Sequence, residues 1–192
     1  GEGWTGGEST LPESERGMKI NAPRTPGIGM FSDDIRDAVK GHVFYMDELG
    51  FVNGAADRRE ELKQAVTCAK WAKSPMQSIN YLSCHDNYTL WDRFIISNSH
   101  ESEEMRIRMN KLAAAILFTA QGIPFFLHGE EFARTKISEA DGAPVENSYC
   151  SPLSVNAIDY DRAEQFSDLK AYYKGLIALR RAHKSFYLDT VD

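Results

Sequence analysis

The residues best suited to chemistry follow directly after a strand-like segment. Cys84-His85-Asp86-Asn87 comes after the β-type run Ile79 to Ser83. An imidazole and a carboxylate therefore stand side by side where a buried strand is predicted to end. In α/β folds, functional residues collect at the carboxyl ends of the strands. This position makes the His85-Asp86 pair the first candidate site.

A second candidate lies at the start of the sequence, where Glu2 stands between two glycines and Trp4 follows closely. A carboxylate with a large aromatic beside it is typical of a sugar site, because the C–H face of a glucose ring suits an aromatic plane. A solvated chain end is the plain alternative for Glu2. Of the two candidate tryptophans, Trp4 is favoured as a ligand contact and Trp91 as a packing residue.

The elements that must position these residues alternate between strand and helix. The first helix is predicted to begin after the N-cap Ser32, with Asp33 and Asp34 in its first turn, and to stop at Gly41. Strands are predicted at 27–31, 79–83 and 123–127. Such alternation implies parallel pairing, as in barrels and doubly wound sheets.

Three further helices follow from apolar spacing. Leu62, Val66 and Ala69 recur at helical spacing as far as Pro75, and a last helix from Ser167 is predicted to bury its apolar face. The residues expected on that face are Leu169, Tyr173, Leu176 and Ile177. A long helix ending before Gly122 is predicted to bury Met105, Met109, Leu112, Ala113, Ile116, Leu117 and Ala120.

Composition excludes some classes of function. Of the 192 residues, 22 are basic and 28 acidic, so the net charge is -6 and no basic block offers a nucleic-acid surface. The longest apolar runs are far shorter than the roughly 20 residues of a membrane span. Cys68, Cys84 and Cys150 are too widely spaced for a zinc site or a disulfide framework. Neither a nucleic-acid nor a membrane partner is expected, and a cytoplasmic location is favoured over export.

Three ordered blocks of sequence carry a family resemblance. They are Gly1-Glu2-Gly3-Trp4-Thr5-Gly6-Gly7, then 79–92 around Cys84-His85-Asp86-Asn87-Tyr88-Thr89-Leu90-Trp91-Asp92, then 121–132 from Gln121-Gly122-Ile123-Pro124 to Glu130-Glu131-Phe132. Together they resemble the type I pullulanases, which belong to the α-amylase clan of glycoside hydrolases. Shorter matches at 147–149, 156–160 and 172–180 extend the resemblance over nearly the whole chain.

The resemblance implies an α/β fold that is part of a TIM (β/α)8 barrel. Glu2 would close the fifth strand and the helix that ends near His183 would be the eighth, so residues 1–192 would form the C-terminal half of the catalytic barrel. A complete barrel needs about 250 residues. The preceding half, and the β-sandwich domain that usually follows, are expected to be absent.

The resemblance also implies roles for the candidate residues. Retaining glycosidases use a general acid and a nucleophilic carboxylate about 5 Å apart. Glu2 matches the general acid/base, Asp86 the third acid of the clan and His85 its partner, while Trp4 and Asn87 are expected to contact substrate. The family's nucleophile lies in a Gly-Phe-Arg-Phe-Asp type motif that has no counterpart here. This chain alone is therefore expected to be inactive.

Other acids have plainer interpretations. A helix N-cap remains the alternative for Asp86, and a core histidine for His85. Glu130 and Glu131, which follow the last strand in the resemblance, are expected to form hydrogen bonds that brace the loops. Asp159, together with Asp161, is expected to serve a structural role or an outer subsite.

The expected function is hydrolysis of α-1,6-glucosidic branch points in pullulan, starch or glycogen by the parent enzyme. The alternatives are another clan member, such as an isoamylase or a glycogen debranching or branching enzyme, and a non-catalytic carbohydrate-binding fragment. The Leu90-Trp91-Asp92 continuation favours the pullulanase type.

A branched α-glucan is the expected partner, with no cofactor and no metal ligands in this chain, although calcium in the parent enzyme stays open. Unpaired strand edges predict self-association of the isolated chain.

Overall fold

The computed structural model describes residues 10–190 of the chain. In this part of the chain, three short parallel strands form one sheet: β1 (Met30–Ser32), β2 (Ser78–Tyr81) and β3 (Ile123–Phe125). The strands lie in the order β1-β2-β3, with Phe31 opposite Ile79 and Ile79 opposite Ile123. The predicted α/β class with parallel strands is confirmed.

Helices connect the strands and follow the last one. They are α1 (Asp33–Lys40), α2 (Arg59–Thr67), α3 (Leu90–Ser97), α4 (Glu103–Thr119), α5 (Leu153–Asn156), α6 (Asp161–Gln165) and α7 (Ser167–Ala182). Short 3-10 turns occupy Glu13–Glu15, Lys19–Arg24, Phe51–Asn53, Ala56–Arg58, Pro75–Gln77, Glu130–Phe132, Ser148–Cys150 and Lys184–Phe186. Each strand therefore passes at its carboxyl end into the loop or helix that carries the polar residues of the site.

The first helix has the predicted boundaries. It begins after Ser32 with Asp33 and Asp34 in the first turn, although the Ser32 hydroxyl makes no capping hydrogen bond. It stops at Gly41, whose φ is 90° and where a Cβ atom would lie 2.0 Å from the carbonyl oxygen of Glu48. Only glycine fits this turn, because any side chain would meet that backbone.

The second helix is shorter than its apolar spacing predicts. It ends at Thr67, so Ala69 is buried but lies beyond the helix. The carbonyl oxygen of Val66 accepts from the Gln121 N–H at 2.8 Å, and the Lys70 N–H donates to an Asp34 carboxylate oxygen at 3.2 Å. In a continued helix, the Lys70 N–H would donate to the Val66 carbonyl oxygen. Both groups are instead bonded to distant residues, so the helix ends.

The face of α4 is rotated from the predicted one. Met105 and Leu112, both expected in the core, are exposed by 37% and 43%. Asn110, by contrast, is completely buried, and its side-chain oxygen accepts from the Tyr173 hydroxyl at 2.8 Å. The residues of α4 that are buried are Met109, Asn110, Ala113, Ala114, Leu117 and Phe118.

The core lies where α1, α3, α4 and α7 pack together. Leu169 and Tyr173 are buried as predicted, while Leu176 and Ile177 are only partly buried. Trp91 is buried and packs against Phe166 with ring centroids 5.3 Å apart, which confirms its packing role. Among the described residues, no helix combines the length and the apolar character needed to cross a membrane.

Candidate functional site

The candidate site lies beyond the carboxyl end of β2. Leu82 and Ser83 continue the strand into the interior, and the chain then emerges at Cys84-His85-Asp86. The His85 Nε2 atom lies 3.4 Å from an Asp86 carboxylate oxygen, with the side chains 71% and 48% exposed. This pair is therefore accessible to a ligand and is not a buried structural pair.

The loop that carries the pair is fixed at both ends. Before it, the buried Ser83 hydroxyl donates to a carboxylate oxygen of Glu130 at 2.5 Å. After it, Asn87 has a positive φ of 58°, and its N–H donates to the Asn147 side chain at 2.9 Å. Asparagine tolerates this left-handed conformation better than most residues. Contacts from two distant segments thus hold the candidate residues in place.

A cleft of about 430 Å³ opens beside this loop. Residues of β1 and β2 line it together with His85, Asp86 and Asn87. The remaining lining residues are Lys19, Phe31, Asp33, Arg36, Phe44, Tyr81 and Cys84. The cleft combines aromatic surfaces with charged groups, the composition of a site that positions a polar ligand.

A network of charges lines the same cleft. Asp33 pairs with Lys19, and its carboxylate oxygen also lies 2.6 Å from an Arg36 guanidinium nitrogen and accepts from the Tyr81 hydroxyl at 3.1 Å. Burial alone would raise the pKa of Asp33, but the hydrogen bond from Lys19 and the positive charges of Arg36 and Lys19 outweigh it. The pKa of Asp33 is consequently lowered, so this carboxylate stays ionised near neutral pH.

A second carboxylate lies buried beneath the loop. Glu130 is 3% exposed, and besides the Ser83 bond its other oxygen accepts from the Tyr173 hydroxyl at 3.1 Å. Burial raises the pKa of Glu130 to about 7, although both hydrogen bonds and the Lys40 charge act in the opposite direction. Glu130 therefore links β3 and α7 to the loop after β2, as a bracing residue would.

Within residues 10–190, the predicted acids Glu131 and Asp159 accept hydrogen bonds from backbone groups two residues away. A carboxylate oxygen of Glu131 accepts from the Gly129 N–H at 2.8 Å. Asp159 accepts from the Asp161 N–H at 3.0 Å, a local bond that bears on neither of its two predicted roles. Glu2 and Trp4, the predicted acid/base and sugar contact, lie outside the described residues.

The cluster of Lys19, Asp33, Arg36 and Tyr81 is not among the residues predicted from the sequence. The sequence predicts Asp33 only as an acid in a helix first turn, where the structure also places it. The spacing of Asp33 and Arg36 puts them on one helix face. That pair follows a strand, so it could have signalled a charged group at the same end of the sheet as His85.

One group of side chains could hold a metal ion. The ligand atoms of Cys84, His85 and Asp86 all lie within 4.8 Å of one another. Burial raises the pKa of the Cys84 thiol, with the Asp86 charge acting in the same direction. The expectation that the chain needs no cofactor stays a prediction.

Comparisons with known proteins connect this geometry to a family. No model of a protein family matches the chain. A curated pullulanase of Bacillus subtilis (strain 168) is 40% identical over 195 residues, which cover 98% of this chain and 26% of that protein. The chain thus spans about a quarter of this relative's length.

Solved structures give the same relationship. The crystal structure of a pullulanase from Paenibacillus barengoltzii in complex with maltohexaose and α-cyclodextrin is 44% identical, with a TM-score of 0.89, and the match covers all of this chain and 30% of that one. A pullulanase from Anoxybacillus sp. LM18-11, complexed with maltotriose, is 41% identical with a TM-score of 0.91, over all of this chain and 26% of that one. In sequence and in fold, the chain is therefore homologous, over the segment that it spans, to type I pullulanases.

Proposed function

We propose that the full-length protein that contains this chain is a retaining glycoside hydrolase that cleaves α-1,6-glucosidic branch linkages. The observation that carries the proposal is the exposed His85-Asp86 pair at the mouth of a cleft, within a chain that is 40% identical to a pullulanase over 98% of its length. Two similar structures hold maltooligosaccharides, which supports an α-glucan as the ligand.

In this proposal, Asp86 and His85 hold hydroxyl groups of the reacting sugar. Such contacts strengthen as the ring flattens toward an oxocarbenium ion, so they lower the barrier and not only the substrate affinity. The accessible carboxylate of Asp86 and the imidazole beside it suit this role. Glu2 would protonate the leaving oxygen, and Trp4 and Asn87 would contact the glucan.

The same proposal assigns the strands to a barrel. β1, β2 and β3 would be the sixth, seventh and eighth strands of a (β/α)8 barrel, with Glu2 at the end of the fifth. Their parallel pairing in sequence order supports this assignment. The carboxyl ends of neighbouring strands would then bring Glu2 and Asp86 to one face of the barrel. Residues 1–192 would form the C-terminal half of the barrel.

The 192-residue polypeptide expressed by itself would neither hydrolyse pullulan nor stay monomeric. It lacks a match to the family's nucleophile motif, and a retaining mechanism fails without that carboxylate. Within residues 10–190, β1 and β3 each pair with one neighbouring strand only, which leaves edges that can template association. Sedimentation equilibrium over a range of concentrations would measure this association.

The products released from pullulan provide the test of the reaction. Pullulan consists of maltotriose units joined by α-1,6 linkages, so the full-length protein should release maltotriose. Products that retain an α-1,6 linkage would show α-1,4 cleavage and would contradict the proposal.

The role of Glu2 has a separate test. Glu2→Gln should lose activity on pullulan but keep much of it on a glucoside with a good leaving group, which needs little acid assistance. Glu139→Gln, at an exposed position, is the matched control and should retain both activities. Equal loss on both substrates would show that Glu2 is not the general acid.

A further inference from the structure

Three different metal-binding side chains meet on consecutive residues after β2. The thiol of Cys84, the imidazole of His85 and the carboxylate of Asp86 place their ligand atoms within 4.8 Å of one another. Sulfur, nitrogen and oxygen donors of these types form the usual ligand set of zinc. Cysteine spacing could not reveal this group, because only one of its three ligands is a cysteine.

The group is held in place from both sides. The Ser83 hydroxyl bonds to Glu130 immediately before it, and the Asn87 N–H bonds to Asn147 immediately after it. Around a tetrahedral zinc ion the ligand atoms lie roughly 3.5 to 4 Å apart, so binding requires side-chain rotations that bring together ligand atoms that now lie within 4.8 Å of one another. The exposed side chains of His85 and Asp86 are free of the dense packing that would oppose such rotations.

We propose that Zn²⁺ or Cd²⁺ binds Cys84, His85 and Asp86 and inhibits the enzyme by withdrawing two residues that the reacting sugar requires. The inhibitory effect rests on the function proposed above, whereas the binding itself does not. Three protein ligands leave the fourth coordination position open to water. Because His85 and Asp86 line the cleft, the bound ion lies where the glucan would enter.

The donor set also selects the ion. Ca²⁺ and Mg²⁺ require six or more oxygen ligands, and this group offers one carboxylate, so neither ion should bind here. The positive charges of Lys40 and Arg36 act on the Cys84 thiol and would repel a cation beside it. Because its three ligands within residues 10–190 come from one loop and two of them are exposed, the site should release its ion readily to a chelator.

Inhibition of the full-length protein gives the first test. Hydrolysis of pullulan is followed during a Zn²⁺ titration, with each protein compared with its own metal-free rate. Cys84→Ser should raise the Zn²⁺ concentration for half inhibition by at least about tenfold. Cys150→Ser, which changes an exposed thiol outside the group, should leave it unaltered. Wild-type sensitivity in the Cys84 variant, or inhibition that a chelator does not reverse, would overturn the inference.

A spectroscopic measurement separates this inference from the proposed function. Cd²⁺ bound to a thiolate absorbs in the ultraviolet, so the band that depends on Cys84 should appear in the wild type and in Cys150→Ser but not in Cys84→Ser. If Cys84→Ser does not fold, Cys84→Ala serves in its place. A Cys84-dependent band in a protein without action on pullulan would refute the function and keep the site. Activity on pullulan without that band would refute the metal site and leave the proposed function standing.

Discussion

Two carboxylates at the same end of the sheet differ in almost every other respect. The Asp33 side chain, after β1, is 46% exposed and lies among Lys19, Arg36 and the Tyr81 hydroxyl. Glu130, after β3, is 3% exposed and accepts from two neutral hydroxyl groups. The pKa of Asp33 is lowered and that of Glu130 is raised to about 7. Burial raises the pKa of both groups, but the cationic partners of Asp33 outweigh it, whereas at the fully buried Glu130 it prevails over the hydrogen bonds and the Lys40 charge.

The difference assigns separate tasks to two parts of the site. The rim comprises the half-exposed carboxylates Asp33 and Asp86, and the base is the buried Glu130 with its hydrogen-bond partners. At the rim, ion pairs near solvent add little to stability, so their charges are available to orient a ligand. At the base, removal of Glu130 would leave the buried Ser83 hydroxyl without its acceptor, and the Tyr173 hydroxyl with Asn110 alone. Substitutions at the rim should therefore change activity, and substitutions at the base should change stability.

The largest effect is expected at the rim. In the full-length protein, Asp86→Asn should lower kcat/KM on pullulan by about 100- to 1000-fold, because the amide lacks the negative charge that stabilises the developing cation. Since Asp86 is half exposed, the free energy of unfolding should change by less than about 0.5 kcal/mol. Asp141→Asn, at an exposed position, is the control for both measurements. A large loss of stability would remove the distinction between rim and base.

The next effect is expected at the base. Glu130→Ala should lower the free energy of unfolding by about 2 to 4 kcal/mol, because it creates a cavity and removes the acceptor of the buried Ser83 hydroxyl and one of the two acceptors of Tyr173. Its neighbour Glu131 is only partly buried, so Glu131→Ala should cost less than about 1 kcal/mol. Urea unfolding of the full-length variants measures both. Equal costs would show that the hydrogen bonds of Glu130 do not brace the loop.

Local patterns predicted the elements of the fold better than their ends and faces. The first helix was predictable because Ser32 and Gly41 mark its boundaries within the sequence. The end of α2 was not, since Val66 and Lys70 bond to Gln121 and Asp34 and not to each other. Hydrogen bonds between distant segments leave no periodic signal.

The site shows the same limit. His85 and Asp86 were predictable, because adjacent residues at the end of a strand must lie together. The buried Asn110 escaped detection, since an apolar pattern cannot register a polar residue whose side-chain oxygen accepts from Tyr173 on another helix. Lys19 was missed as well, because only the folded chain brings it to Asp33.

A smaller effect should appear in the pH dependence of stability. The pKa of Glu130 is about 7 in the folded chain, against an ordinary value of 4.5, so the folded state holds its proton more tightly than the unfolded state. Stability from this group is full below pH 4.5 and falls as the pH rises to about 7, by at most about 3 kcal/mol. The glutamine of Glu130→Gln does not titrate, so the variant should not show this fall. Relative to the wild type, the free energy of unfolding of the variant should therefore rise between pH 5 and pH 8. A difference that is constant with pH would contradict the raised pKa.

The smallest effect is expected for Asp33. Because its carboxylate is half exposed, loss of its ion pairs in Asp33→Asn should cost less than about 1 kcal/mol at neutral pH, and less still at high salt. The pKa of Asp33 is lowered, so its contribution is present above the ordinary value of 3.8 and disappears as the pH falls through the lower folded value. Asp34→Asn controls for the shared position in the first helical turn, since Asp34 bonds to a backbone N–H. Urea unfolding at low and high salt measures the difference. If Asp33→Asn cost as much stability as Glu130→Ala, and salt did not change that cost, the rim would contribute to stability as much as the base does.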